Sequence, residues 1–486
     1  MRIDTSLFEK KYREKEDCES PFKDNWRAGI NISPLENHTN RSGFDKNCSL
    51  QGTTGEFFRL LEDDTTCEIV DFEASVEKPV REYLSRQGKL SEEKLNEIIN
   101  IIRDILYVDG NLNITEVPFL KYLPRVPQSD ILPEKLVKKY DSGQKKIAAY
   151  LYSAVCGVLQ TLPQHPQTNL FSKIIGNALT VKDFRALSKE RRGGEYYMLP
   201  FVRDSFQRDF IWMMGQNDSY IIKNIHLLLH FYVCYGVVQA FSHLSASKVD
   251  KEQTPIPFYF ILNTEKVSMN HEAIVRGWDH VLPKHSIDNF FGKAQAMDII
   301  NTVLGGGIGF YPDLLKKLSE TPFEENLPAI QKLLSLYKIK KTIQLEKRDS
   351  EEKRGRRQKI QEIEDFDVRS YQDFFVAMER LCTVLQSKSY TSRLRGQIIE
   401  LLSVRFLQRR RGIYVLTLDK EMLIFLVYLL AKNDRIKLEE LYKRFNSYGI
   451  YFNRGTRLKV EEYLLKLNLL IRKSDSGESQ YVYAVL

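Results

Sequence analysis

RGTRLKVEEYLLKLNLLIRKSDSGESQYVYAVL, residues 454–486, is the stretch that decides how this chain is read. Its first half has the apolar spacing of an amphipathic helix, with Leu458, Leu464, Leu465, Leu467 and Leu470 offering a core face. Its second half alternates apolar and polar residues on either side of Asp475–Ser476–Gly477, which predicts a β-hairpin. Two helices precede it. LEELYKRFNSYGI (438–450) closes near Gly449, the residue type that helix C-termini favour, and LDKEMLIFLVYLLAKN (418–433) has Asp419 near its start. Three helices and a hairpin within about 70 residues match the winged-helix plan, a variant of helix-turn-helix.

Working back from residue 412, helical patterns dominate. SEEKLNEIINIIRDILYV opens on Ser91 followed by acids and an apolar stripe. QKKIAAYLYSAVCGVLQTL (144–162) and DSYIIKNIHLLLHFYVCYGVVQAF (218–241) are strongly apolar helices, and the second is the expected centre of the core. Lys223, His226 and His230 interrupt that stretch, leaving too short an apolar run to span hydrocarbon, so it reads as a core helix and no membrane partner is expected. FYFILN (258–263) fits a short strand or a helix start. A helix begins near Leu327, and others cover 368–386 and 392–407. The expected class is mainly α: a multi-helical scaffold with a C-terminal winged-helix domain of three helices plus a β-hairpin. The expected divisions are an irregular 1–55, a helical scaffold 56–340, a charged hinge or exposed helix 341–366, a basic helical segment 367–411 and the winged helix 412–486.

Six cysteines lie far apart with no C-x-x-C pair, which argues for a reducing, cytoplasmic setting and against a disulfide framework or zinc ribbon. The polar, acid-containing first residues lack the apolar core of a signal peptide. The net charge of +8 is unevenly placed: residues 338–360 carry +6, 393–411 carry +5 and 435–473 carry +6, so the remainder is acidic. A basic C-terminal third suggests a local polyanion partner, and solvated helix faces explain the same charges.

Arginine can bridge two acceptors on guanine or clamp a phosphate. In DNA-binding winged helices the third helix enters the major groove by its N-terminal end, which here offers Arg454, Arg457 and Lys459. Arg472 and Lys473 sit at the root of the hairpin, and Arg409, Arg410 and Arg411 form a further basic run that suits either phosphate contact or a solvated helix end. Glu461 and Glu462 on the same helix would repel phosphate if they faced it. Winged helices also dock proteins, so DNA contact and protein docking both stand.

No complete catalytic site is legible. His226, His230 and Cys234 share one helical face but lie among Leu, Phe, Tyr and Val, as core residues do, and no metal is expected there. GGGIGF (305–310) lacks the G-K-[ST] ending of a phosphate cradle, so no nucleotide cofactor is expected. Asp279, Asp288 and Asp313 are the acids a dispersed nuclease site would use, without a partner pattern to support one.

The stretches GIYFNRGTRLKVEEYLLKLNLLIRKSDSGESQYVYAVL and VRDSFQRDFIWMMGQNDSYIIKNIHLLLHFYVCYGVVQAF resemble the DptG (DndG) family of bacterial DNA phosphorothioation-dependent restriction proteins. The resemblance runs along most of the chain in length and layout, and its motifs are not catalytic signatures. It implies a defence role: host DNA carries sulfur in place of a non-bridging phosphate oxygen, and a three-component module attacks foreign, unmodified duplex DNA. It implies ATPase and helicase-like partners, with which the lack of a P-loop here agrees, and it transfers no catalytic residue. The expected role is a non-catalytic adaptor coupling those partners to duplex DNA. The alternatives are a pure interaction subunit, a nuclease subunit and a transcriptional regulator.

Overall fold

The apolar stretch near residue 230 becomes the axis of the molecule. In this computed structural model, residues 2–11, 50–62, 68–88, 90–108, 111–126, 134–166, 170–179, 196–245, 254–262, 265, 271–278, 286–306, 311–346, 354–355, 358–359, 366–384, 388–410, 412–472 and 480–483 are described. The helix Asp218–Ser245 is apolar on every side, and its residues from Leu227 to Phe241 are almost all buried. Among the described residues it is the one helix long and apolar enough to cross a membrane by length and composition, and 78% of its apolar window is buried inside the molecule. An all-round apolar helix belongs in a core, and here the helices Glu134–Val155, Pro200–Met214 and Ser286–Val303 surround it.

The chain is mainly helical. The cap expected at Ser91 forms, its side chain accepting from the Lys94 amide at 3.4 Å, and Asp419 caps its own helix, accepting from the Met422 amide at 2.7 Å. The helix Glu92–Leu106 turns Leu95, Ile99, Ile102 and Leu106 into a smaller core of its own. Several boundaries depart from expectation. Helix Thr5–Lys11 lies within the stretch 1–55 expected to be irregular, and helix Gln51–Leu61 begins in it and crosses its end. The second, QGTTGEFFRLL, hides its helical character behind small residues that close approach demands: a Cβ at Gly52 would stand 2.3 Å from the Arg125 carbonyl, and one at Gly55 2.3 Å from that of Leu123. The helix expected from Leu327 starts at Phe323 and tolerates Pro328. Most of 341–366, the expected hinge, lies outside the described residues. The segment 367–411 holds helices Tyr371–Val384 and Lys388–Ser403 but ends in a strand, so Arg409 and Arg410 do not sit on a helix end.

FYFILN resolves into strands β3 (Phe258–Tyr259) and β4 (Ile261–Leu262), following the short hairpin of β1 (Tyr107–Val108) and β2 (Asn111–Leu112). Strands β5 (Leu407–Arg410) and β6 (Ile413–Leu418) form a hairpin turned at Gly412, whose φ is +82°. From there the order is helix Lys420–Ala431, β7 (Arg435–Lys437), helix Leu438–Ser447, β8 (Ile450–Tyr451), helix Arg454–Lys466, β9 (Leu470–Arg472) and β10 (Gln480–Tyr483). β10 lies between β7 and β9, antiparallel to both, with Val482 opposite Ile436 and Leu470. These three residues face inward and are buried.

This C-terminal stretch is stitched to the scaffold. β3 runs parallel to β8 and β4 parallel to β6, so one extended segment, 258–262, spans both edges. Gln239 on the central helix exchanges two hydrogen bonds with the backbone of Ile256 (3.0 and 2.9 Å), fixing the strand's approach. Gly449 follows the second helix at φ +71°, and a Cβ there would lie 2.5 Å from the Ile256 carbonyl oxygen, so both conformation and space require glycine. One apolar cluster runs unbroken from Ile3 to Val482.

Deeper in the seam, Asp209 is wholly buried on the scaffold helix Pro200–Met214. Its Oδ2 accepts from the hydroxyls of Tyr232 and Tyr448, each at 2.6 Å, and Lys432 Nζ stands 3.3 Å from Oδ1. Burial raises the Asp209 carboxyl above its ordinary range, while the two hydroxyls and Lys432 oppose the rise. Tyr448 and Lys432 belong to the C-terminal stretch, so the carboxylate joins the two parts.

Candidate nucleic-acid interface

The helix Arg454–Lys466 begins at Asn453, whose side chain accepts from the Thr456 amide at 2.8 Å. Its buried line is Thr456, Val460 and Leu464, spaced every fourth residue. Leu464 and Leu470 take the core positions expected of them, whereas Leu458 is 58% exposed and Leu467 39% exposed. The leucine-rich text misplaced the face because Thr456 and Val460 carry the first half of it.

The three expected cations meet different fates. Arg454 is exposed and has no carboxylate partner among the described residues. Arg457 is half-buried: its guanidinium lies 4.8 Å over the Tyr442 ring, its Nε donates to the Phe452 carbonyl at 3.2 Å, and its own carbonyl accepts from the Tyr442 hydroxyl at 3.1 Å. These contacts tie the third helix to the second and leave Arg457 poorly placed for DNA. Lys459 is exposed and bonds Glu462 at 2.9 Å, which also accepts from Lys466 at 2.8 Å. The two lysines hold the Glu462 carboxyl down to about 2, Lys466 contributing most.

The first turn is also occupied. Glu265 of the scaffold accepts from the Thr456 hydroxyl at 3.2 Å and from the Leu262 amide at 2.8 Å. A carboxylate near a helix N-terminus satisfies the dipole that a phosphate would otherwise meet. The accessible side of this helix carries Arg454, Leu458, Lys459, Glu462 and Lys466, so the acid at 462 faces solvent beside the two lysines that pair with it.

Arg409 on β5 is exposed, 5.7 Å over the Tyr414 ring. Arg410 is half-buried, bonding Gln408 (2.7 Å) and the Glu265 carbonyl. Arg472 ends β9, opposite Gln480. Arg411, Lys473 and the Asp475–Ser476–Gly477 turn lie outside the described residues. In sequence, that turn sets Lys473 against Asp475 and Glu478, a weak charge balance for gripping phosphate. Two exposed cations escaped the sequence reading: Arg435 and Lys437 on β7. A three-residue strand between helices is too short to show a period-two pattern.

The remaining candidates resolve as structure. His230 is buried, hydrogen-bonded to the Leu401 carbonyl and edge-on to Phe406. Burial, aided by the Arg405 charge, pushes its imidazole down to about 3. His226 is lowered by burial too, and Cys234 Sγ sits 3.9 Å from the Leu401 carbonyl oxygen. No group of three His, Cys, Asp or Glu side chains that could hold a metal ion occurs among the described residues. Asp313 lies on the helix Tyr311–Leu318 and accepts from the Tyr197 hydroxyl at 3.0 Å; Asp279 lies outside the described residues, and Asp288 falls on the helix Ser286–Val303. A pocket of about 350 Å³ on the scaffold contains His165, whose ring nitrogens are held by Asp218 (2.8 Å) and the Met214 carbonyl (2.7 Å).

No family model and no curated protein matches the chain.

Proposed function

We propose that the chain is a non-motor subunit of a bacterial phosphorothioation-dependent DNA restriction complex, acting in the cytoplasm, and that residues 412–486 form a winged helix touching foreign, unmodified duplex DNA. One observation carries the DNA part. The order helix, strand, helix, helix, hairpin closes a β7–β10–β9 sheet and leaves Arg454, an exposed cation without a carboxylate partner among the described residues, on the outward ridge of the third helix. The restriction setting rests on the resemblance of the central and final stretches to the DptG family. Motor work belongs to ATPase and helicase-like partners. The seam of β3, β4, Gly449 and Asp209 suits an adaptor, because it would pass force from scaffold to winged helix without a loose joint.

Leu458 supports a second reading. A large apolar side chain 58% exposed on the same ridge, with Leu467 39% exposed nearby in sequence, favours protein docking over phosphate contact. The two readings separate in a duplex-binding titration across a salt series, comparing the full chain with a variant carrying Arg454→Glu and Lys459→Glu. DNA contact predicts weaker binding by the variant and a log–log salt slope shallower by about 2, one unit per lost phosphate contact. Equal slopes, or no duplex binding at all, would leave docking as the function of this ridge.

A further inference from the structure

The outer face of the β7–β10–β9 sheet has the make-up of a surface for unstacked bases. Its inner face is spent on the core through Ile436, Val482 and Leu470. Alternation sends Arg435, Lys437, Ile471, Tyr481 and Tyr483 to the other side. Arg435 and Lys437 are exposed, Ile471 is 45% exposed, and both tyrosines are partly exposed. The Arg435 guanidinium lies 4.3 Å from the Tyr481 ring centroid and 4.9 Å from that of Tyr483, so one cation spans two rings. The strands read RIK, LIR and QYVY and contain no acidic residue. Neither Arg435 nor Lys437 has a carboxylate partner among the described residues.

We propose that this face binds single-stranded nucleic acid, with bases stacking on Tyr481 and Tyr483 and phosphates meeting Arg435 and Lys437. The charge complements a polyanion, and the rings select one whose bases are free. A duplex hides its base faces in its own stack, while a single strand offers them to any aromatic ring. The two tyrosines stand about 7 Å apart along the strand, far enough for each to take its own base. An acidic peptide would use the cations and leave the rings idle. This surface lies apart from the Arg454–Lys466 ridge and stands or falls without it.

The test uses the full chain, a fluorescent oligothymidylate and a duplex of mixed sequence. Binding of the single strand should weaken about ten-fold or more in the Tyr481→Ala, Tyr483→Ala double variant. It should survive in the corresponding Phe double variant, which keeps the rings. Iododeoxyuridine placed in the strand should crosslink to Tyr481 or Tyr483 in the wild type, a readout that needs no variant to fold. Failure of the wild type to bind the single strand, crosslinks that map only elsewhere, or Ala variants that bind as the wild type does would each overturn the proposal. So would a loss that follows Lys437→Glu while the Tyr481→Ala, Tyr483→Ala variant binds unchanged, since the surface would then read charge and not bases. The Arg454→Glu, Lys459→Glu variant keeps its single-strand binding if the two surfaces are separate; loss of duplex binding alone touches only the winged-helix reading.

Discussion

At the scale of single residues, burial decides more than identity does. His226, His230 and Cys234 share a helical face that could suit a metal, yet His230 and Cys234 are buried in the apolar core, and burial together with the nearby Arg405 charge lowers the pKa of both imidazoles. That lowering ties stability to pH. The His230 ring stays unprotonated in the folded chain down to about 3, whereas in the unfolded chain it binds a proton below its ordinary 6.5. Between those values the unfolded state holds more protons, so stability falls as pH falls, by about 2 kcal/mol from this residue on going from about pH 6.5 to about pH 5. Urea unfolding of the wild type and a His230→Leu variant at the two pH values measures the difference. The variant should lose less stability on acidification, and parallel losses would show that the ring is not held neutral. Arg457 teaches the same point from the other side: a cation in the first turn of the helix Arg454–Lys466 is spent on Tyr442 and Phe452.

At the scale of elements, the sequence displayed what is local and hid what is distant. The cap at Ser91, glycine at 449 and the alternation near the C-terminus act within a few residues, and each is readable. The helix Gln51–Leu61 was not, because its glycines and threonines look like loop text until the Arg125 and Leu123 carbonyls are set against them. Thr456 and Val460 were passed over as core because leucine dominates the third helix by composition, while the buried line follows spacing. The parallel pairing of β3 with β8 and β4 with β6 joins residues 192 and 156 positions apart and has no local signature. Gly449 carries that junction. Gly449→Ala should destabilise the chain by about 1–3 kcal/mol from the left-handed backbone, with further cost from the contact with the Ile256 carbonyl. Thermal melting would register this, and an unchanged midpoint would mean that the β3–β8 seam does not form as described.

At the scale of the whole molecule, the mainly helical architecture was legible because long apolar helices announce themselves, and the fusion of scaffold to C-terminal stretch was not. A winged helix on a flexible tether can present any face of its third helix. Here Glu265 covers the first turn, Asp209 grips Tyr448 and Lys432, and the exposed side of the third helix holds Arg454, Leu458 and Lys459 together with the Glu462–Lys466 pair. Of the eight cations read in sequence, Arg454, Lys459 and Arg409 are exposed, Arg457 and Arg410 are half-buried in protein contacts, and Arg411, Lys473 and the Arg472 side chain lie outside the described residues. Hydrogen–deuterium exchange on the full chain, with and without a short unmodified duplex, measures directly whether this ridge meets DNA. Slowed exchange or side-chain footprinting protection concentrated in residues 454–466, with the scaffold helices unchanged, is the expected result. Duplex binding with protection confined to the scaffold would contradict a DNA-contacting winged helix.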